Sequence, residues 1–214
     1  MSFALLSVDQ KASCMMSAAL RAASRYYELS GGVHIEESGV EHYVQAIIWE
    51  AICNEPGLPK CFATMETRPA DILNWSGVSD HKAFFATLKN VDARSRFDLV
   101  FHVDDENSER PKGIVEVKIG RTSESFSHDL QRIYEFAERA NGVGASIDYV
   151  AAIFVERGIS EDELEKHKMF VERNLPNGKM PQWHSKSGIY ADKHKERPNH
   201  NLMICVAAYS FGAS

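Results

Sequence analysis

The 214-residue sequence lacks several features that would assign it at once to a familiar class. No apolar run approaches the length that a membrane-spanning helix needs. None of the four cysteines lies in a CxxC pair and no secretory signal precedes them, so we expect reduced, buried thiols in a cytoplasmic protein. A Gly-rich phosphate loop, GxSxG and HExxH are also absent, so nothing indicates the nucleotide-binding, serine-hydrolase or zinc-protease classes that these motifs mark.

Positive charge is also scarce. The chain has 24 Lys and Arg against 30 Asp and Glu, which gives a formal net charge of −6. This balance argues against a generally basic, phosphate-coating surface, so any contact with nucleic acid would be local and helped by a bound metal. An apolar share of 44% and a charged share of 25% are ordinary for a soluble globular protein, and the length favours a single domain over residues 1–214.

The apolar pattern predicts an α/β fold, a mixed β-sheet flanked by helices, because stretches of period two alternate with stretches of helical period. Helices are expected over residues 9–29, 38–54, 124–140 and 160–174. The sheet is expected to contain residues 60–67, 96–103, 113–119 and 148–155, followed by a last strand over residues 201–209. Residues 69–94 are interpreted as an insertion with two short helices. We expect strands 96–103 and 113–119 to be adjacent and antiparallel, since a polar loop joins them.

The stretch of residues 96–120 carries the candidate chemistry. Side chains alternate between the faces of a strand, which places Glu116 and Lys118 together and lets Asp98 converge with them on one side of the sheet. Phosphodiester hydrolysis needs a metal, an activated water and stabilisation of the leaving oxygen, and Mg²⁺ takes carboxylate oxygens as ligands. Asp98 and Glu116 could bridge such an ion, while Lys118 could orient or activate the attacking water.

A further carboxylate, Glu41, lies near the start of the helix predicted over residues 38–54. It could complete the site directly or through a water molecule. Ser38 followed by Glu41 also fits a capping box, so helix capping is the alternative role for this residue. For Asp98, Glu116 and Lys118 the alternative is a surface ion pair worth only ~0–1 kcal/mol.

The order of these residues resembles that of the PD-(D/E)xK nuclease superfamily, which has the restriction-endonuclease-like fold. Glu41 on a helix, Asp98 in RFDLVF, and Glu116 and Lys118 in IVEVK follow the family's order, and a helix and a strand come next. The resemblance covers residues 39–157 and leaves a C-terminal helix, a basic loop and a strand, within residues 160–209, unmatched.

This resemblance implies that Asp98 and Glu116 are metal ligands, Lys118 the catalytic lysine and Glu41 an accessory acid. It also implies a metal-dependent endo- or exonuclease that uses Mg²⁺, or Mn²⁺ as a substitute, and whose partner is nucleic acid, with DNA favoured. Gln131 on the following helix matches the place where some members of the family carry a polar helper residue.

Residues 179–200 interleave basic residues with aromatic ones, a composition that suits contact with a nucleic-acid backbone and its bases. The candidate contacts are Lys186, Lys193, Lys195 and Arg197. An ordinary solvated loop is the alternative.

Two other functions stay open. A nuclease-like fold that has lost its metal could serve as a nucleic-acid-binding or protein-interaction module. An unrelated α/β binding protein could leave the polar strand face merely solvated. The sequence also leaves formation of a homo-oligomer open.

Overall fold

The computed structural model describes residues 6–35, 40–54, 61–105, 108–120, 123–175, 179–189 and 201–211. Its described helices are α1 (Val8–Leu29), α2 (Glu41–Asn54), α3 (Pro69–Trp75), α4 (His81–Ala86), α5 (Ser123–Gly142) and α6 (Glu161–Asn174). The described strands are β1 (Cys61–Thr67), β2 (Phe97–Asp105), β3 (Ser108–Ile119), β4 (Tyr149–Arg157), β5 (Gln182–Ile189) and β6 (Asn201–Ser210). No described helix has the length and apolar character needed to cross a membrane.

The six strands form one mixed sheet in the order β1-β2-β3-β4-β6-β5, and helices cover both of its faces. Strands β3 and β4 are parallel, whereas the other neighbouring pairs are antiparallel. The predicted antiparallel pairing of β2 with β3 is confirmed, as is the wider prediction of a mixed sheet flanked by helices. The register of β2 and β3 runs from the Leu99–Val115 pair to the Asp105–Ser108 pair.

The two faces of the sheet have separate cores. Helices α1 and α2 pack on the face that carries Leu99 and Val117, while helices α3 to α6 pack on the face that carries Val100 and Ile114. Strand β4 lies between β3 and β6 with its first seven residues buried, which explains its nearly unbroken apolar sequence. Helix α5 connects the parallel strands β3 and β4, so it lies across the sheet next to β3.

The predicted insertion, residues 69–94, contains α3 and α4 and packs on the α5 face. Ile72 and Leu73 are buried there, and the ring of Phe84 lies 5.6 Å from that of Phe136 on α5. The insertion therefore helps to close the core on the face that carries the candidate site.

The prediction of a loop over residues 179–200 is wrong for residues 182–189, which form the edge strand β5 and pair with β6. The indole of Trp183 donates a hydrogen bond to Glu172 on α6 at 2.9 Å. Lys186 Nζ donates to Ser17 Oγ on α1 at 3.0 Å. Pairing with β6 and packing against both helices stabilise a strand that its own polar sequence does not indicate. The other predicted contacts of this segment, Lys193, Lys195 and Arg197, lie outside the described residues.

The close pairing of β2 and β3 can be tested at Gly113, which is the partner of Phe101 in the register. A Cβ atom at Gly113 would overlap the ring of Phe101. We expect Gly113→Ala to destabilise the protein by about 1–3 kcal/mol, the usual cost of overpacking, as measured by urea denaturation. Gly142→Ala is the matched control because a Cβ atom there meets nothing within 4 Å. Equal stability of the two variants would contradict the packing described for β2 and β3.

Candidate active site

Four of the residues predicted from sequence come together where the β2–β3 pairing ends. Lys118 Nζ lies 3.4 Å from Glu41 Oε1 and 4.0 Å from Glu116 Oε2. Asp98 and Glu116 follow the Leu99–Val115 pair on the face covered by α5, and their carboxyl groups are within hydrogen-bonding reach of each other. Glu41 reaches this group from the first residue of α2.

Asp98 is held by the backbone of the neighbouring strand. Its Oδ2 accepts a hydrogen bond from the Val117 N–H at 2.7 Å, just beyond the last paired residues of β2 and β3. The side chain is almost fully buried. Burial raises the pKa of Asp98, and the opposing effects of Lys118 and of the Val117 hydrogen bond do not cancel the shift.

Glu116 is the most enclosed residue of the group, with 0% exposure. Its Oε1 accepts a hydrogen bond from Arg132 Nη2 at 2.5 Å. Its Oε2 is buried and receives no hydrogen bond from any residue that the structure describes. Burial, followed by the charge of Asp98, raises the pKa of Glu116 well above its usual range, while Arg132 opposes the shift. A buried acceptor left without a donor costs about 1–3 kcal/mol, so the fold holds Glu116 here at an energetic disadvantage.

Asp129 and Arg132, one turn apart on α5, belong to the same cluster although they were not among the predicted site residues. Asp129 Oδ2 lies 3.4 Å from Lys118 Nζ, and Asp129 Oδ1 lies 3.5 Å from Arg132 Nη2. The helical spacing of Ser125, Asp129 and Arg132 was the available signal, since all three line the same cleft. That spacing became informative only once α5 was known to cover β3.

Lys118 is surrounded by carboxylates. Burial opposes its charged form, but the charges of Asp129, Asp98, Glu116 and Glu41 together raise the pKa of Lys118 above its usual range. The side chain is therefore held as an ammonium at neutral pH, which makes it a hydrogen-bond donor rather than a base.

An open cleft of about 650 Å³ gives access to this cluster. Arg96 and His128 are exposed on its rim, and Arg96 Nη1 donates a hydrogen bond to the carbonyl of Glu66 at 3.1 Å. Glu66 has φ +53°, a left-handed backbone conformation that a non-glycine residue adopts at some cost in strain. His42 Nε2 lies 3.4 Å from Glu66 Oε1.

The burial of the cluster bears on the two alternatives raised from sequence. A surface ion pair does not describe Glu116 and Asp98, which are 0% and 8% exposed. The capping alternative for Glu41 involves Ser38, which lies outside the described residues. The carboxylate of Glu41 itself contacts Lys118.

Two predicted nucleic-acid contacts lie away from the cluster. The side-chain amide of Gln131 donates a hydrogen bond to the carbonyl of Asn174 at the end of α6. Lys186 lies on β5 against α1, on the opposite face of the sheet. The structure therefore does not bring Gln131 or Lys186 to the cleft.

The described acidic side chains of the cluster fit a divalent cation in charge without forming a complete set of metal ligands. Among the described ranges, no group of three or more His, Cys, Asp and Glu side chains is arranged to hold a metal. Four carboxylates, however, surround only two cations, Lys118 and Arg132, which leaves two formal negative charges for a divalent ion to balance. Asp98 and Glu116 each have one oxygen fixed by a protein donor, and no described donor engages the second oxygen of Glu116. Such a pair fits Mg²⁺, which usually takes one or two carboxylates together with water and substrate phosphate.

In comparisons with known proteins, no family model, no curated protein and no solved structure matches the chain. The function is therefore inferred from the chemistry of the site itself.

The raised pKa of Glu116 makes stability depend on pH. A carboxyl group whose folded-state pKa is raised contributes stability that is fully present below its unfolded pKa, about 4.3, and is lost as pH rises through the folded value. Glu116→Gln removes this loss and keeps an acceptor for Arg132. In EDTA, we expect the free energy of unfolding of Glu116→Gln, relative to that of the parent, to rise from about pH 4 until the pH passes the folded-state pKa of Glu116.

Urea denaturation at a series of pH values measures this difference. The control is Glu28→Gln at an exposed position of α1, which should follow the parent at every pH. A Glu116→Gln variant whose stability relative to the parent does not change with pH would show that Glu116 is not buried as an ionisable group.

Proposed function

We propose that the protein is a metal-dependent nuclease of the PD-(D/E)xK type that hydrolyses phosphodiester bonds of nucleic acid, with DNA as the favoured substrate. The observation that carries the proposal is the buried pair of Asp98 and Glu116 beside Lys118, in which Oε2 of Glu116 receives no hydrogen bond from any described residue. A pair of this kind has little structural use, because burying adjacent carboxylates destabilises a fold.

The surrounding elements support a restriction-endonuclease-like arrangement. The antiparallel strands β2 and β3 carry Asp98 and the Glu116–Lys118 pair, and α5 then leads to the parallel strand β4. Helix α2 contributes Glu41. This is the order of elements and side chains that the resemblance to the nuclease superfamily implies.

Asp98 and Glu116 would hold Mg²⁺, or Mn²⁺ in its place, and the bound ion would neutralise phosphate charge and lower the pKa of a water ligand. Lys118 supplies a fixed ammonium, held between Glu41 and Asp129 at 3.4 Å from each. As a donor it orients the attacking water or stabilises charge that develops on a phosphate oxygen. Glu41 and Asp129 hold the ammonium in place.

The open cleft provides room for a nucleic-acid backbone in an otherwise acidic chain. Exposed Arg96 and His128 lie on its rim and are the described side chains best placed to meet flanking phosphates. A contribution from Lys193, Lys195 and Arg197 stays a prediction from sequence. Lys186 lies on the other face of the sheet, which weighs against its contact with a substrate in this cleft.

A second candidate function is a catalytically inactive nuclease-like module that binds nucleic acid or protein. The ion pair between Arg132 and Glu116 favours it, because a guanidinium already neutralises one proposed metal ligand. The two functions differ in whether the chain binds a divalent cation and cleaves.

Replacing the proposed ligands and the lysine should have different effects. Asp98→Ala and Glu116→Ala should lose both metal binding and cleavage, whereas Lys118→Ala should keep much of the binding and lose about 10²–10³-fold in cleavage rate, as for removal of one transition-state donor. Lys168→Ala is the matched control, since Lys168 pairs with Glu165 on α6, outside the cleft.

The measurements are calorimetric titration with Mg²⁺ and Mn²⁺, and cleavage of labelled DNA and RNA in each metal and in EDTA. Cleavage by Asp98→Ala and Glu116→Ala at the parent's rate would show that the site is wrong. A parent protein that binds no divalent cation, even with nucleic acid present, would favour the inactive module.

A further inference from the structure

Each proposed metal ligand has one carboxylate oxygen tied to the protein. Asp98 Oδ2 is tied to the Val117 N–H, and Glu116 Oε1 is tied to Arg132 Nη2. The other oxygen of Glu116, Oε2, is the one available to a metal ion. It is buried and receives no hydrogen bond within the described part of the chain. Among the described residues, Arg132 is the donor that engages the Glu116 carboxylate, so it sets the rotation of that group.

The guanidinium of Arg132 is itself held from several sides. Its central carbon lies over the ring of Phe97, 5.4 Å from the centroid, and Phe97 is fully buried. Asp129 Oδ1 lies 3.5 Å from Nη2, the same nitrogen that contacts Glu116. The side chain of Arg132 is only 14% exposed. Because a guanidinium is planar and its donors point in fixed directions, a guanidinium held by these contacts specifies the position of its acceptor.

Resting on the proposed function, we propose that Arg132 is a positioning residue that turns Glu116 so that Oε2 alone faces the divalent ion beside Asp98. In this role Arg132 binds Oε1, the Glu116 oxygen that faces away from the ion, and touches neither the ion nor the substrate. Residues that orient metal ligands in this way typically contribute about 10–100-fold to metal affinity.

If Arg132 acted only through its charge, its removal would change metal affinity in the opposite direction. Arg132 places a positive charge near the site, so its removal would relieve repulsion of the cation and strengthen metal binding. The direction in which affinity changes therefore distinguishes positioning of Glu116 from simple neutralisation of its charge.

The test is Mn²⁺ affinity, measured by calorimetry on the full chain, together with the electron paramagnetic resonance spectrum of the bound ion. We expect Arg132→Gln to weaken Mn²⁺ binding about 10–100-fold and to alter the spectrum. Arg132→Lys, which keeps the charge and one donor, should recover part of the lost affinity. Arg139→Gln makes the same charge change at an exposed position of α5 and should bind Mn²⁺ as the parent does.

Thermal unfolding in EDTA identifies a temperature at which every variant is folded, and the titrations are made there. A merely structural role would lower the unfolding temperature of Arg132→Gln and leave its Mn²⁺ affinity unchanged, which would overturn the inference. If Arg132→Gln does not fold, the Mn²⁺ affinity of Arg132→Lys tests the inference instead. Mn²⁺ binding several-fold weaker than that of the parent supports positioning by Arg132, and equal binding overturns it.

Failure of this inference can be told apart from failure of the proposed function. Should Arg132→Gln bind Mn²⁺ as tightly as the parent or more tightly, while Asp98→Ala loses it, positioning by Arg132 is wrong and the metal site stands. A parent that binds no Mn²⁺ overturns both.

Discussion

Two carboxylates, Asp98 and Glu116, are buried side by side at the end of the β2–β3 pairing, and the rest of the site compensates for their repulsion. Taking an ionised carboxylate out of water costs several kcal/mol, and a second one beside it adds to that cost. The chain offsets part of it with a backbone N–H from Val117, the guanidinium of Arg132 and the ammonium of Lys118. The pKa values of both carboxyl groups nevertheless stay raised, so compensation by the protein is incomplete. A residual excess of negative charge in an open cleft is what a cation-binding site requires.

The topology explains why the compensating residues come from α5. This helix connects two parallel strands, β3 and β4, and must therefore cross the face of the sheet beside β3. Its apolar stripe packs on the sheet core, and its adjacent polar positions, Asp129 and Arg132, fall over the polar end of β3. Glu41 approaches Lys118 from the start of α2, a helix that packs on the opposite face. Lys118 is thus fixed between elements from both sides of the sheet.

The hairpin and its site residues could be predicted from sequence because strand alternation fixes faces once two strands pair. That rule places Asp98, Glu116 and Lys118 on one side of the sheet, and the resemblance to the nuclease superfamily singled them out as a site. The burial of Glu116 could not be predicted, since alternation does not distinguish a face covered by a helix from a solvated one. Asp129 and Arg132 were missed for the same reason.

Strand β5 was missed because an edge strand owes its conformation to its neighbour. Residues 182–189 lack a clear apolar alternation, and their pairing with β6 and packing on α1 and α6 decide the outcome. The central strand β4, in contrast, is buried on both faces and its apolar run was recognised directly. Sequence patterns thus located the elements that build the core and left out those that depend on tertiary contacts.

The most direct test of the account is the position of Mn²⁺ in crystals of the protein, located by its anomalous scattering. We expect an anomalous peak bonded to both Asp98 and Glu116, with Arg132 still hydrogen-bonded to Oε1 of Glu116. Crystals grown with Mn²⁺ that show no peak between these carboxylates, or a peak held only by other residues, would contradict it.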